Sequence, residues 1–209
     1  MNVAVIGAGG IGSPLVRGLV ELPWVDQIWV VDGDQVERSN LPRQPWYDEA
    51  SIGSKKAETL AQVFGARVHP MAVRVDRTFP WPPCDLLFDA TDNWPARLAI
   101  AEAARSQAIP WIFASAVRWE GQSALMRPDG PCLRCLFGEE LLEGPRCFEA
   151  GVVGFVTLAV AGQALELADR WVRQPADSAL DRLYLLEGRE GALWSVGLPK
   201  ARCSHGIVQ

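Results

Sequence analysis

The run VVDGDQVERSNLPRQ, residues 30–44, sets Asp32 and Asp34 ahead of Asn40, Arg43 and Gln44 in what ought to be a plain loop. A carboxylate at the end of an apolar strand suits a ribose hydroxyl, and a guanidinium close behind suits anionic oxygens. Ahead of the loop stands GAGGIG, with Gly7, Gly9 and Gly12 between an apolar strand and an apolar helical pattern. Such a turn lets backbone N–H groups approach a phosphate at a helix N-terminus, and Asp32 follows at about the 20-residue reach of a ribose acid. The turn alone does not separate a dinucleotide from ATP. A diphosphate can be held by one helix terminus, whereas a triphosphate calls for a guanidinium, an ammonium and a metal ion on a carboxylate. Arg43, then Lys55 and Lys56 in GSKKAE, then Asp89, Asp92 and Asn93 in DATDN supply that set. Singly, each passes as a solvated loop, a surface helix or a helix cap. Together they favour a triphosphate site.

The elements that must position these groups alternate. Residues 2–6 and 27–31 form strands, and a helix begins near Ser54 with Ser54 as its N-cap. Residues 67–75 form a third strand, DLLFDAT a buried fourth, PWIFASAV a fifth and GQSALMRP a sixth. NWPARLAIAEAARSQA reads as a helix with Pro95 in its first turn. This alternation predicts a doubly wound, mostly parallel Rossmann-like α/β sheet. After it comes a long aperiodic connection, residues 129–150, then a helix over 152–171 and two short antiparallel strands near 180–186 and 192–196. The whole, 1–209, is expected to be one domain, with residues 1–115 as its nucleotide-binding half.

Composition narrows the function classes. The chain has 209 residues and a net charge of −5, with no long basic run, which argues against nucleic acid as a partner. No apolar stretch reaches the roughly 18 residues of a membrane span. The opening MNVAVIGAGG reads as a strand rather than a signal peptide, so a cytoplasmic protein is expected. Two histidines, His69 and His205, leave little for a His-dependent hydrolase, and His69 sits in a strand. Five cysteines, with Cys132 and Cys135 in PCLRC, suggest a metal or a reactive thiol rather than disulfides. Cys132 and Cys135 make half of a tetrahedral zinc site. Cys84, behind two prolines, reads as buried and inert.

GAGGIGS, VVDGDQVERSNLPRQ, IGSKKAE, DATDNWPAR, PCLRC and RCFEAGVVGFV, in that order, resemble the ThiF/MoeB/HesA adenylyltransferases, relatives of the ubiquitin-activating enzymes. The resemblance implies adenylation by ATP of the C-terminal carboxylate of a small ubiquitin-like sulfur-carrier protein with a Gly-Gly tail, releasing pyrophosphate. It implies Asp32 on the ribose, Asn40, Arg43 and Lys56 on the phosphates, and Asp92 on Mg2+. Residues 116–209 become the carrier-binding and zinc half. The family closes its Zn2+ site with a second cysteine pair near the C-terminus, and here Cys203 and His205 stand in that place. Cys147 falls where some members carry a thiol of thioester or persulfide chemistry and others a dispensable one, so it is a candidate nucleophile. The family also implies a homodimer, with an arginine from helices before the first strand reaching the partner's ATP. This chain opens on that strand, so either another arginine, with Arg17 and Arg97 in reach, replaces it, or the clamp is weaker, or another protein completes the site. Two rivals remain: a nicotinamide-dependent oxidoreductase on the same turn, and a module that binds nucleotide or carrier without turnover.

Overall fold

The computed structural model describes residues 1–76, 78–138, 151–200, 203 and 205. Cys147 and the rest of the connection from 139 to 150 lie outside the described residues.

Strand β1 (Asn2–Ile6) reads NVAVI, and Val3, Ala4 and Val5 are wholly buried. A strand apolar on both faces belongs inside a parallel sheet covered by helices on each side. That is where it lies. With β2 (Gln27–Val31), β3 (Val68–Met71), β4 (Leu86–Asp89) and β5 (Trp111–Val117) it forms a parallel ladder in the order β3-β2-β1-β4-β5. Strands β6 (Glu120–Met126), β7 (Arg182–Glu187) and β8 (Ala192–Gly197) extend the sheet antiparallel, giving eight strands. The expected fold class is therefore observed.

Helices cover the two faces. On one face α1 (Gly12–Leu19), α2 (Lys56–Phe64) and α5 (Gly154–Arg173) share a core that includes Leu15, Leu60 and Val160. On the other, α3 (Trp94–Ser106) and the short α4 (Leu133–Phe137) pack Ile100, Ala104 and Leu133 against Ile6, Leu87 and Phe113. Among the described residues no helix is long and apolar enough to cross a membrane. The chain winds one way from β1 to β2 and the other way to β4, so Ile6 and Asp89, paired across the ladder, flank the crevice where the winding reverses. Ligands bind at such a reversal, outside the carboxyl ends of the strands.

Three local expectations change. The N-cap of α2 is Lys55, with extended backbone and no side-chain cap bond, not Ser54. Lys55 is held extended because it bridges Gln35 in the polar loop. The third strand ends at Met71, where its register with β2 runs out, rather than at residue 75. Helix α5 begins at Gly154, because Val152 is drawn into a bridge with Arg118.

Candidate active site

The crevice begins with the glycine turn. Gly7 takes φ +97°, and a Cβ there would lie 2.6 Å from the Ala90 carbonyl oxygen. A Cβ on Gly12 would fall 1.8 Å from the Gly7 oxygen, so Gly12 serves the close packing of turn on helix. Gly12 does not line the cavity; Gly7, Gly9 and the unforeseen Gly10 do. The turn is braced from behind, since Tyr47 donates its hydroxyl to the Ala8 carbonyl at 2.7 Å.

Asp32 closes the turn from β2. Its Oδ2 accepts the Ala8 N–H at 2.7 Å and its Oδ1 the Asp34 N–H at 2.8 Å. A carboxylate has about four lone-pair sites, so capacity for a sugar hydroxyl remains. Burial raises its pKa, against the pull of Lys56 and the two backbone donors. Lys56 is itself 7% exposed and sits 3.7 Å from Asp34 Oδ2, while Arg74 reaches Asp34 Oδ1 at 3.1 Å. Burying an ammonium whose paired carboxylate oxygen stands 3.7 Å away, with Asp32 acting on it from further off, is costly, which fits a group that meets further negative charge from a ligand.

The loop SNLPR folds as a 3-10 helix over Arg38–Arg43. Asn40 is buried, accepting the Glu37 N–H through Oδ1, and Arg43 Nη1 donates to the Ser39 carbonyl at 2.7 Å. Both line the crevice beside Gln44, whose buried Oε1 has no hydrogen-bond partner among the described residues.

Across the crevice, the end of β4 turns into α3. Asp89 is wholly buried; its Oδ1 accepts both the Thr91 N–H at 2.9 Å and the Thr91 hydroxyl at 2.6 Å. Asp92 is exposed, and among the described residues its Oδ1 accepts one long hydrogen bond, from Asn93 Nδ2 at 3.3 Å. Asn93 caps α3 by accepting the Ala96 N–H at 3.0 Å. An exposed, lightly bonded carboxylate is the hard oxygen donor that Mg2+ takes beside phosphate. Gly9, Asp32, Asp34, Asn40, Arg43, Lys56, Asp92 and Asn93 thus face one cavity of about 1290 Å³. Arg97 lines it too, whereas Arg17 lies outside, paired with Glu21 at 2.5 Å. Sequence reasoning missed Arg74, hidden in the overlong third strand, and Thr157 at the start of α5.

A second cluster lies at the far end of α3. The ligand atoms of Cys132, Cys135, Cys203 and His205 all fall within 4.8 Å of one another. The two CLRC sulfurs are 3.8 Å apart, and His205 Nδ1 lies 3.5, 3.4 and 3.7 Å from Cys132, Cys135 and Cys203 Sγ. Bond lengths of about 2.3 Å to sulfur and 2.1 Å to nitrogen in a tetrahedron give S–S edges near 3.8 Å and S–N edges near 3.6 Å. The donors fit such an ion, and the Cys-x-His spacing meets the geometry through Nδ1. Arg105 of α3 donates to the carbonyls of His205 and Gly130 at 3.4 and 3.3 Å, tying both ligand-bearing segments to the helix. Cys84 is half-buried, and burial pushes its thiol up to about 12, as suits an inert cysteine.

Fold and crevice together define a doubly wound α/β domain of the nucleotide-binding type. The ThiF family profile matches residues 1–204, and the chain belongs to that family. It is 38% identical over 163 residues to the SAMP-activating enzyme E1 of Haloferax volcanii, covering 73% of this chain and 60% of that protein. It is 34% identical over 180 residues to the sulfur carrier protein adenylyltransferase of Thermus thermophilus, covering 78% of this chain and 66% of that one. The structure superposes on E. coli MccB with a TM-score of 0.80 at 18% identity, over 96% of this chain and 64% of that chain. The chain thus spans about two thirds or less of the length of these curated relatives.

Proposed function

We propose that this chain adenylates the C-terminal carboxylate of a small ubiquitin-like sulfur-carrier protein ending in Gly-Gly, using ATP and Mg2+. One observation carries the proposal: a glycine turn, a ribose acid, a guanidinium, a nearly buried ammonium and an exposed carboxylate all line a single cavity. The names of the Haloferax and Thermus relatives, an activating enzyme and a carrier adenylyltransferase, support it. In the step, a carboxylate oxygen of the carrier forms a bond to the α-phosphorus of ATP. The bond from that phosphorus to the bridging oxygen breaks, and pyrophosphate leaves with the electron pair. The nucleophile is already ionised at neutral pH, so no histidine base is needed. What opposes reaction is the approach of anion to anion.

Arg43, Asn40 and Lys56 would lower that repulsion by donating to phosphoryl oxygens, and Asp32 would orient the ribose. Mg2+, held by Asp92, would screen charge on the departing pyrophosphate. Zn2+, held by Cys132, Cys135, Cys203 and His205, would be structural, with every ligand position filled by protein. A homodimer and a thiol step at Cys147 rest on the family resemblance alone. A nicotinamide oxidoreductase has no use for Arg43 and Lys56 in these places, and no observation favours it.

The test is radiolabelled pyrophosphate–ATP exchange with ubiquitin-like proteins ending in Gly-Gly. Exchange should require a carrier and should fall about 100- to 1000-fold in Asp92→Ala, the range for losing one preorganised charge contact. Nucleotide binding without exchange, for any such carrier, overturns the assignment and leaves a binding module.

A further inference from the structure

Arg97 is the most deeply buried cation of the crevice, and the catalytic proposal gives it no task. Its Nη2 donates to the Thr91 carbonyl at 2.5 Å. Its Nε lies 3.9 Å from Asp89 Oδ2, an oxygen that has no hydrogen bond among the described residues. Asp89 in turn holds the N–H and hydroxyl of the same Thr91 through its other oxygen. The residue before Asp92 is therefore gripped on both its amide and its carbonyl by one buried ion pair.

The guanidinium also has an aromatic seat. It lies 4.9 Å from the ring centroid of Phe113 and 5.6 Å from that of Trp94. Phe137 packs against both rings, at 5.5 Å from Phe113 and 6.0 Å from Trp94. Phe137 closes α4, the short helix that follows its N-cap Cys132 and carries Cys135. The thiol cluster and the Asp92 turn are thus joined by contact: α4, three rings, one guanidinium, one turn.

We infer that Arg97 is a positioning residue that fixes the Asp92 carboxylate for Mg2+, and that the aromatic seat of Phe113 and Trp94, backed by Phe137 of α4, fixes Arg97. Such a pair is expensive to bury, and removing one partner strands the other. The fold bears that cost at a place where the backbone of a metal-holding turn must not drift. A guanidinium suits the task because its fork serves the carboxylate and the carbonyl at once while its flat faces lie on rings. A lysine ammonium cannot do all three.

The inference rests on Asp92 as the Mg2+ ligand, so the test separates the two claims. ATP affinity is measured by calorimetric titration with and without Mg2+, on the full chain, for wild type, Asp92→Ala, Arg97→Lys, Arg97→Ala and Phe137→Leu. The readout is the factor by which Mg2+ tightens ATP, with metal-free ATP affinity as the internal control, since general loosening would weaken both. Arg97→Lys is expected to reduce that factor about tenfold and Phe137→Leu about threefold, within the range for contacting groups, with metal-free affinity nearly unchanged. Arg97→Ala should lose more, and if it fails to fold, Arg97→Lys decides. Full Mg2+ tightening in a folded Arg97→Lys overturns the inference. Equal loss of metal-free and Mg2+-dependent affinity overturns it as well, because that would mark plain structural damage. If Asp92→Ala keeps the Mg2+ effect, the magnesium assignment itself fails, whatever Arg97 does.

Discussion

The two ends of α3 hold their polar groups by opposite means. At the N-terminal end, Asn93 caps the helix and Asp89 and Arg97 lie buried, with the core of Leu87, Ile100 and Phe113 around them. At the C-terminal end, half-buried Arg105 reaches two carbonyls over 3.3 and 3.4 Å, and the thiols beside it are only partly covered. The first end is complete once the sheet has folded. The second gathers three sulfurs and an imidazole that have little reason to stay together without an ion between them. The difference teaches where each site would draw its order: the crevice from hydrophobic burial, the thiol cluster from the Zn2+ proposed for it.

That contrast can be broken or sharpened by substitution. Phe88, wholly buried in β4, lies just ahead of Asp89, and Phe88→Ala should cost about 3–5 kcal/mol of stability. A denaturant titration checks it; a cost under 1 kcal/mol would mean the crevice does not depend on its core as argued. Cys135→Ser, or chelation, should cost less, about 1–3 kcal/mol, and should leave the circular dichroism of the parallel sheet intact. If it abolishes folding outright, the two ends are not separate sources of order. Smallest is Tyr47→Phe, which removes one buried hydrogen bond to the glycine turn and should cost about 1 kcal/mol in the same titration. No measurable cost would show the brace to be incidental.

Much of this arrangement was legible in the residues. The strand–glycine–helix order and the polar series from Asp32 to Arg43 follow from local pattern, and β1 and β2 fall on their expected bounds. What was not legible depends on contacts between distant segments. Ser54 looks like a cap, yet the bridge from Lys55 to Gln35 moves the cap on by one residue. Arg74 hides in an apolar run whose strand stops where β2 stops. Nine tryptophans carry no functional signal by number, and only the fold brings Trp94 against Phe137. Arg17 and Arg97 were equal candidates by type; burial beneath the TDN turn separates them. The pairing of Cys203 and His205 with CLRC depended on the resemblance, because spacing alone makes Cys-x-His look awkward. Cys147 lies outside the described residues.

The brace from Tyr47 has one more consequence. Burial, then the neighbouring charge of Asp32, hold its phenol far above the ordinary range, so the hydroxyl keeps the proton it donates to Ala8 through the neutral range. The scaffold behind the phosphate turn therefore contains no acid–base switch at this point. In front of the turn it is Asp32 whose pKa burial raises, against the pull of Lys56 and the backbone donors.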